Sequence, residues 1–173
     1  MEVFFMRERI KQIWNRISPY ILTYSVAIAI PLAVGIASAA LTRGNMDVYE
    51  KLNTPPLSPP GILFPIVWTI LYILMGVSSA MVYIDKEKNP EAAKHGFIYY
   101  SISLVLNFSW SIVFFNLQAA LVALVILIVM LYFIIRTILE YYKVKPVAAY
   151  LQIPYAIWVA FAGYLNVGIW LLN

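Results

Sequence analysis

The residues able to do chemistry in this sequence are aromatic and uncharged polar side chains repeated at helical spacing. Ser103, Asn107 and Ser111 stand at i, i+4 and i+8, which puts all three on one face of a helix. Trp68, Tyr72, Met75 and Ser79 make a second such face. Tyr155, Trp158, Ala162 and Asn166 make a third, preceded by Pro154, whose missing backbone donor kinks a helix. An indole offers one donor and a broad π surface, and an amide offers a donor and an acceptor. Together they suit either a flat, largely apolar ligand or the hydrogen bonds that hold helices to one another. Thiol and metal-cluster chemistry have no residues to work with: there is no Cys, and the one histidine, His95, sits in a charged stretch where a solvated side chain is the plain reading.

These faces need helices in a membrane. Of the 173 residues, 63% are hydrophobic and 12% charged, with mean hydropathy +0.82. A soluble domain carries roughly 45–50% apolar and about 25% charged residues, so this chain cannot hide its apolar surface in a water-soluble core. Charge-free stretches predict five crossings, at about 20–41, 62–84, 97–117, 119–139 and 147–172, each near the ~20 residues that a bilayer core requires. The proline-rich run Thr54-Pro55-Pro56-Leu57-Ser58-Pro59-Pro60-Gly61 parts the first two. Asp85–His95 is a charged loop with Asn89-Pro90 as its turn, and Lys143–Pro146 parts the last two. No charge separates spans three and four, and a tight hairpin at Asn116-Leu117-Gln118 is expected to divide them.

Five crossings put the N-terminus and the loops 85–95 and 136–146 on one side. That side holds Arg7, Arg9, Lys11, Arg16, Lys86, Lys88, Lys94, Arg136, Lys143 and Lys145, against Arg43 and Lys51 opposite. The asymmetry predicts an N-in, C-out protein of a bacterial cytoplasmic membrane, with anionic headgroups as neighbours and no nucleic-acid partner. Residues 1–18 form a separate segment: Ile10, Ile13, Trp14 and Ile17, interleaved with Arg7, Lys11 and Arg16, predict a short amphipathic helix on the membrane surface. A signal peptide ending at Ala37-Ser38-Ala39 is the rival reading. The apolar run of 20–41 exceeds the usual ~7–15 residues, and cleavage would spoil the charge asymmetry.

Three blocks resemble the TspO/MBR family, which comprises the translocator proteins and the bacterial tryptophan-rich sensory proteins. The first is Tyr49-Glu50-Lys51-Leu52 through Pro59-Pro60, followed by Val67-Trp68 with Leu71-Tyr72 and Met75-Gly76. The second is Leu106-Asn107 with Trp110 and Phe114-Phe115. The third is Pro154-Tyr155 with Trp158, Phe161-Ala162, Leu165-Asn166 and Ile169-Trp170. The resemblance implies an all-α bundle of five transmembrane helices, often dimeric, that binds porphyrins such as protoporphyrin IX, isoquinoline and benzodiazepine drugs, and in some members cholesterol.

By matching positions, the resemblance implies a pocket roofed by Tyr49 and Pro59. Its walls would be Trp68, Tyr72, Asn107, Ser111, Phe114, Trp158, Ala162 and Leu165. It further implies a receptor or sensor of tetrapyrrole metabolism that requires no cofactor and takes porphyrin as ligand. Light- and oxygen-dependent porphyrin breakdown, with Trp68 and Trp158 as the candidate catalytic residues, and a small transporter are the alternatives. Two departures stand out. Thr54 and Leu57 replace the Lys and Trp usual in the family's loop, and the absence of Lys or Arg after Lys145 removes its C-terminal cholesterol consensus. A loose match to that pattern at Leu139, Tyr141 and Lys143 carries little weight. Gly35 with Ala39 offers a small-residue surface for a homodimer or for packing inside one bundle.

Overall fold

The computed structural model describes residues 2–45 and 48–173, and their side chains except those of residues 2–6, 8, 10–16, 48 and 50. The elements are α1 (Glu2–Thr42), the single turn α2 (Val48–Lys51), α3 (Leu63–Ile84), α4 (Pro90–Ser111), α5 (Ala120–Val144) and α6 (Pro146–Leu172). No strand occurs among the described residues. Five helices are long and apolar enough to cross a membrane, with the first span covering Ile17–Asn45 of α1 and its 3₁₀ extension. The fold is therefore the expected all-α bundle. The helix of the basic segment continues into span one without a break; its amphipathic face at Ile10, Lys11, Ile13, Trp14 and Arg16 lies outside the described side chains.

Two boundaries differ from expectation. Pro90 is not the middle of a long loop but the first residue of α4. Asn89 caps that helix by accepting from the Ala92 N–H at 3.3 Å, so His95 is helical and stacks on Tyr99. Proline fits there because the first helical N–H needs no intrahelical partner. At the other end of α5, Arg136, Glu140 and Lys143 extend the helix to Val144, since charged residues are good helix formers and need not break a helix where it leaves the membrane. The hairpin forms where expected. α4 ends in a π-turn over Ile112–Asn116, and Gln118 takes the left-handed conformation (φ 52°) before α5 begins.

The helices form a ring in the order α1, α3, α6, α5, α4. The α4–α5–α6 arc is extensively packed, and the α1–α4 seam is sparse. α1 is held to α3 instead, at a point set by two residues. Pro31 cannot donate to the Ala27 carbonyl, and Gly76 brings α3 against Ala27 and Ile28, where any Cβ would strike the Ile28 backbone. Gly35 likewise lies under the Tyr72 ring, so this small residue serves packing within the bundle.

The two ends are tied separately. At one end, the Asp85 carboxylate accepts from Lys145 Nζ at 2.8 Å and from Lys88 Nζ at 2.9 Å, joining the α5–α6 and α3–α4 turns. Those two contacts, the Lys145 one foremost, hold the Asp85 carboxyl below its ordinary range. At the other end, Asn116 Nδ2 donates to the Leu41 carbonyl and its Oδ1 accepts from Asn45, fastening the hairpin to the end of α1.

Candidate functional site

The loop between α1 and α3 closes one end of the bundle. Tyr49 donates its hydroxyl to the Pro59 carbonyl at 3.2 Å, and burial pushes its phenol pKa up, so it remains a donor. Pro55 to Ser58 forms a tight turn, with Ser58 N and Oγ both donating to the Pro55 carbonyl and Leu57 at φ 66°, a conformation that normally favours glycine. Thr54 and Leu57 are both exposed. Other contacts hold the loop. Pro55 is seated on Gly168, where a Cβ would collide with it. Tyr164 donates to the Pro56 carbonyl at 2.8 Å, and Asn53 and Asn173 exchange backbone and side-chain hydrogen bonds at 3.0 Å each.

Below the loop lies a continuous aromatic interior. Trp68 and Tyr72, one turn apart on α3, stack at 5.6 Å, and the Trp68 ring also lies 6.3 Å from Trp110 and 6.1 Å from Tyr155. Trp110 stacks on Phe114 at 5.5 Å, while Phe64 bridges Tyr49 at 5.0 Å to Trp158 at 5.9 Å. These separations are those of offset and edge-to-face aromatic pairs, so the rings fill the interior. Between Tyr49, Phe64, Trp110, Phe114, Ala162, Leu165 and Asn166, only about 10 Å³ remains open.

The polar face of α4 behaves in two ways. Ser103 and Ser111 turn back on their own helix, donating to the carbonyls of Tyr100 at 2.7 Å and Asn107 at 3.5 Å, the habit of serine in helices. Asn107 reaches across to α3, accepting from the Tyr72 hydroxyl at 2.8 Å. Four buried polar atoms around this interior have no hydrogen-bond partner: Asn107 Nδ2, Trp110 Nε1, Trp158 Nε1 and Asn166 Oδ1. Buried polar groups are ordinarily paired, so three unpartnered donors and one acceptor among aromatic rings are what a binding interior presents to a ligand with a few polar atoms.

The larger opening lies to one side of this interior, along α1. A cavity of about 210 Å³ is bounded by Gly35, Ser38, Ala39 and Thr42 of α1, by Phe64, Trp68 and Tyr72 of α3, and by Trp110, Ser111 and Phe115 beyond. Among the described residues, no Asp, Glu, Lys, Arg or His lines it. The ten expected site residues are thus brought close together, but they divide between two places. Trp68, Tyr72 and Ser111 face the open cavity, whereas Tyr49, Phe114, Ala162 and Leu165 surround the filled interior. Asn107 joins the two through Tyr72, Trp158 abuts Phe64, and Pro59 belongs to the loop.

Phe64, Trp110 and the α1 residues are additions to the expected set. The sequence signal for Trp110 is its place in the second motif block. Ser38 and Thr42 are marked by polar residues at i, i+4 in an otherwise apolar run, and Thr42 donates to the Ser38 carbonyl at 2.9 Å. Phe64 carries no signal, being one apolar residue among many. Trp170, at the far end of α6, is about half exposed, as an interfacial anchor would be. Among the described residues, no group of three His, Cys, Asp or Glu could hold a metal ion.

The family model for TspO/MBR matches residues 27–171, which contain both parts of the site. The chain is 40% identical to a tryptophan-rich protein TspO of Chlorobaculum tepidum over 154 residues, covering 88% of this chain and 97% of that protein. It is 31% identical to a tryptophan-rich sensory protein of Cereibacter sphaeroides over 145 residues (84% and 85%), and 33% identical to the translocator protein of Bos taurus over 142 residues (82% and 84%). With this extent of match and five apolar helices of spanning length, the chain belongs to the TspO/MBR family of integral membrane proteins.

Proposed function

We propose that this protein is a membrane receptor for porphyrins and related flat apolar molecules, which enter the α1-side cavity and part the aromatic rings behind it. The observation that carries the reading is the set of unpartnered Asn107 Nδ2, Trp110 Nε1, Trp158 Nε1 and Asn166 Oδ1 among those rings. The opening of about 210 Å³ is below the ~300–1,000 Å³ usual for ligand pockets, so binding requires displacement of Trp68, Trp110 or the loop above them. A receptor whose bound and free states differ in this way can signal, in keeping with the name of the Cereibacter relative. The same reading places the N-terminus inside and the C-terminus outside a bacterial cytoplasmic membrane, on the strength of the basic residues gathered at the 85–89 and 144–146 turns and in the N-terminal segment. Homodimers are compatible with it but would use a surface other than Gly35, which is covered by Tyr72.

A second reading has one observation in its favour. Trp68 lies within 6.3 Å of Tyr72, Trp110 and Tyr155, a chain of oxidisable rings able to quench or relay radicals formed when a bound porphyrin is illuminated in oxygen. Trp158, packed on Phe64 and Phe161, stands apart from that chain and serves to hold the ligand. Titration of the detergent-solubilised protein with protoporphyrin IX in the dark, followed by tryptophan quenching, tests the first reading. Saturable binding weakened by Trp68→Phe and Trp158→Phe is expected. Partitioning no different from that of empty micelles would refute it. Illuminating the same samples tests the second, which predicts a bilin-like absorbance lost in Trp68→Phe, and accumulation in sealed vesicles would instead mark a transporter.

A further inference from the structure

The loop that closes the aromatic interior has a second side, which rests on the outward face of α6. Pro55 is seated on Gly168, and the Pro56 carbonyl accepts from the Tyr164 hydroxyl at 2.8 Å. Tyr164 and Gly168 are one helical turn apart, on a face marked as outward by the exposed Ile157, Tyr164 and Leu171 at i, i+7 and i+14. Around a spanning helix such a stripe is covered by lipid tails, which are as apolar as leucine. Measured along the axis from Pro146, Tyr164 stands at ~27 Å and Gly168 at ~33 Å, against a hydrocarbon thickness of ~30 Å. The loop therefore straddles the edge of the hydrocarbon, at the end of the bundle opposite the Lys145–Asp85 contact.

Irregular backbone at that depth has no water to satisfy it and must satisfy itself. This loop does so to an unusual degree. Prolines at 55, 56, 59 and 60 have no N–H to leave unpaired, and all four of their carbonyls accept: Pro55 from Ser58 N and Oγ, Pro56 from Tyr164, Pro59 from Tyr49, and Pro60 from Leu63 N at 2.9 Å. What protrudes is an apolar side chain. Leu57 is 84% exposed, the highest value of any large apolar residue described. Its φ of 66° is one that glycine adopts without strain, so the turn itself does not call for a leucine. We propose that Leu57 inserts among the acyl chains of the leaflet beside α6. Through Pro59 and Tyr49, the bilayer then helps to hold the loop over the aromatic interior. Insertion requires no ligand and so stands apart from the porphyrin reading.

The test uses the full chain, which has no Cys of its own, in phosphatidylcholine nanodiscs. Single cysteines replace Leu57, the exposed Glu87 of the 85–89 turn, and the exposed Ile128 of α5. Leu57→Cys should fold normally, because the side chain it removes is almost wholly exposed. Thiols react as thiolates, which apolar surroundings suppress, so a charged methanethiosulfonate should modify Leu57→Cys several-fold more slowly than Glu87→Cys. With the fluorophore NBD attached to the same thiols, aqueous iodide should quench Glu87→Cys several-fold more than Leu57→Cys. Lipid brominated near the carbonyl end of its chains should quench the probe at Leu57 more than lipid brominated near the methyl end, with the opposite order at Ile128. Thiol reactivity and iodide quenching equal to those at Glu87 would place Leu57 in water. Protection from both iodide and brominated lipid would place it against protein, such as a second copy of the chain. Either result overturns the proposal.

Discussion

The α4–α5–α6 arc and the α1 seam are both built from helices apolar enough to cross a membrane, yet they have opposite character. Where the arc meets the loop and α3, the rings of Tyr49, Phe64, Trp110 and Phe114 close on Ala162, Leu165 and Asn166 until about 10 Å³ is left between them. Along α1, cavities of about 210 and 460 Å³ persist on either side of the contacts that Gly35 and Gly76 make with α3. Without a hydrophobic force between helices in lipid, association depends on van der Waals fit. α1 obtains that fit with α3 at two glycine-mediated contacts, whereas α5 packs extensively on both α4 and α6, with a hollow of about 400 Å³ at the hairpin end beside Phe114, Leu121 and Ile169. α4 and α6 therefore present the unpartnered recognition groups, and the α1 seam supplies room beside them.

The comparison can be broken most severely at Gly76. A Cβ there meets the Ile28 backbone, so Gly76→Val should cost about 3 kcal/mol and detach α1 before the arc unfolds, seen as a lower first transition in thermal unfolding. Tyr72→Phe is milder. It strands the Asn107 carboxamide, whose Nδ2 is already without a partner, and should cost ~1–2 kcal/mol, lowering Tm by ~2–8 °C. Trp110→Phe sharpens the contrast between structure and recognition. The indole N–H has no partner to lose, but the smaller ring leaves a void among packed rings, so stability should fall by ~1 kcal/mol while porphyrin affinity falls several-fold in the quenching titration.

The smallest effect is that of pH. The folded Asp85 pKa is depressed by Lys145 and Lys88, so its stabilising contribution is complete above the ordinary carboxylate pKa of ~3.9 and disappears as pH falls through the lower folded value. Tm should be flat from about pH 7 to about 4 and decline only below that, with Asp85→Asn abolishing this portion of the decline.

Much of the inner side of α3 and α6 is legible in the amino-acid sequence alone. The faces Trp68/Tyr72/Met75/Ser79 and Tyr155/Trp158/Ala162/Asn166 turn inward as their spacing requires, with Trp68 and Trp158 only partly buried, because inward-facing polar and aromatic groups have few alternatives in lipid. The seam is not legible in this way. α1 marks its inner side by Ser38, Thr42 and small residues against a background as apolar as its outer side, and the closure of Gly35 over Tyr72 depends on a partner helix that periodicity does not specify. Spacing also cannot tell that Ser103 and Ser111 bond to their own helix while Asn107 crosses to α3, since all three share one face. Likewise, a break in hydropathy at Arg136 is not a break in helix, and the side chain of Glu140 lies 8% exposed between Lys143 and Arg136 on a helix that outlasts the membrane.

The central claim, that ligand enters by the α1 seam and not through the filled arc, is tested most directly at Ser38. This residue is 4% exposed, lines the 210 Å³ cavity and has an unpartnered hydroxyl, so Ser38→Phe fills the cavity without removing a hydrogen bond made by that hydroxyl. The measurement is the Kd for protoporphyrin IX in the dark beside the Tm of the same sample. The account predicts an affinity at least ~10-fold weaker, about 1.4 kcal/mol, with Tm unchanged or raised. Wild-type affinity in a folded Ser38→Phe protein would contradict it and place the ligand elsewhere.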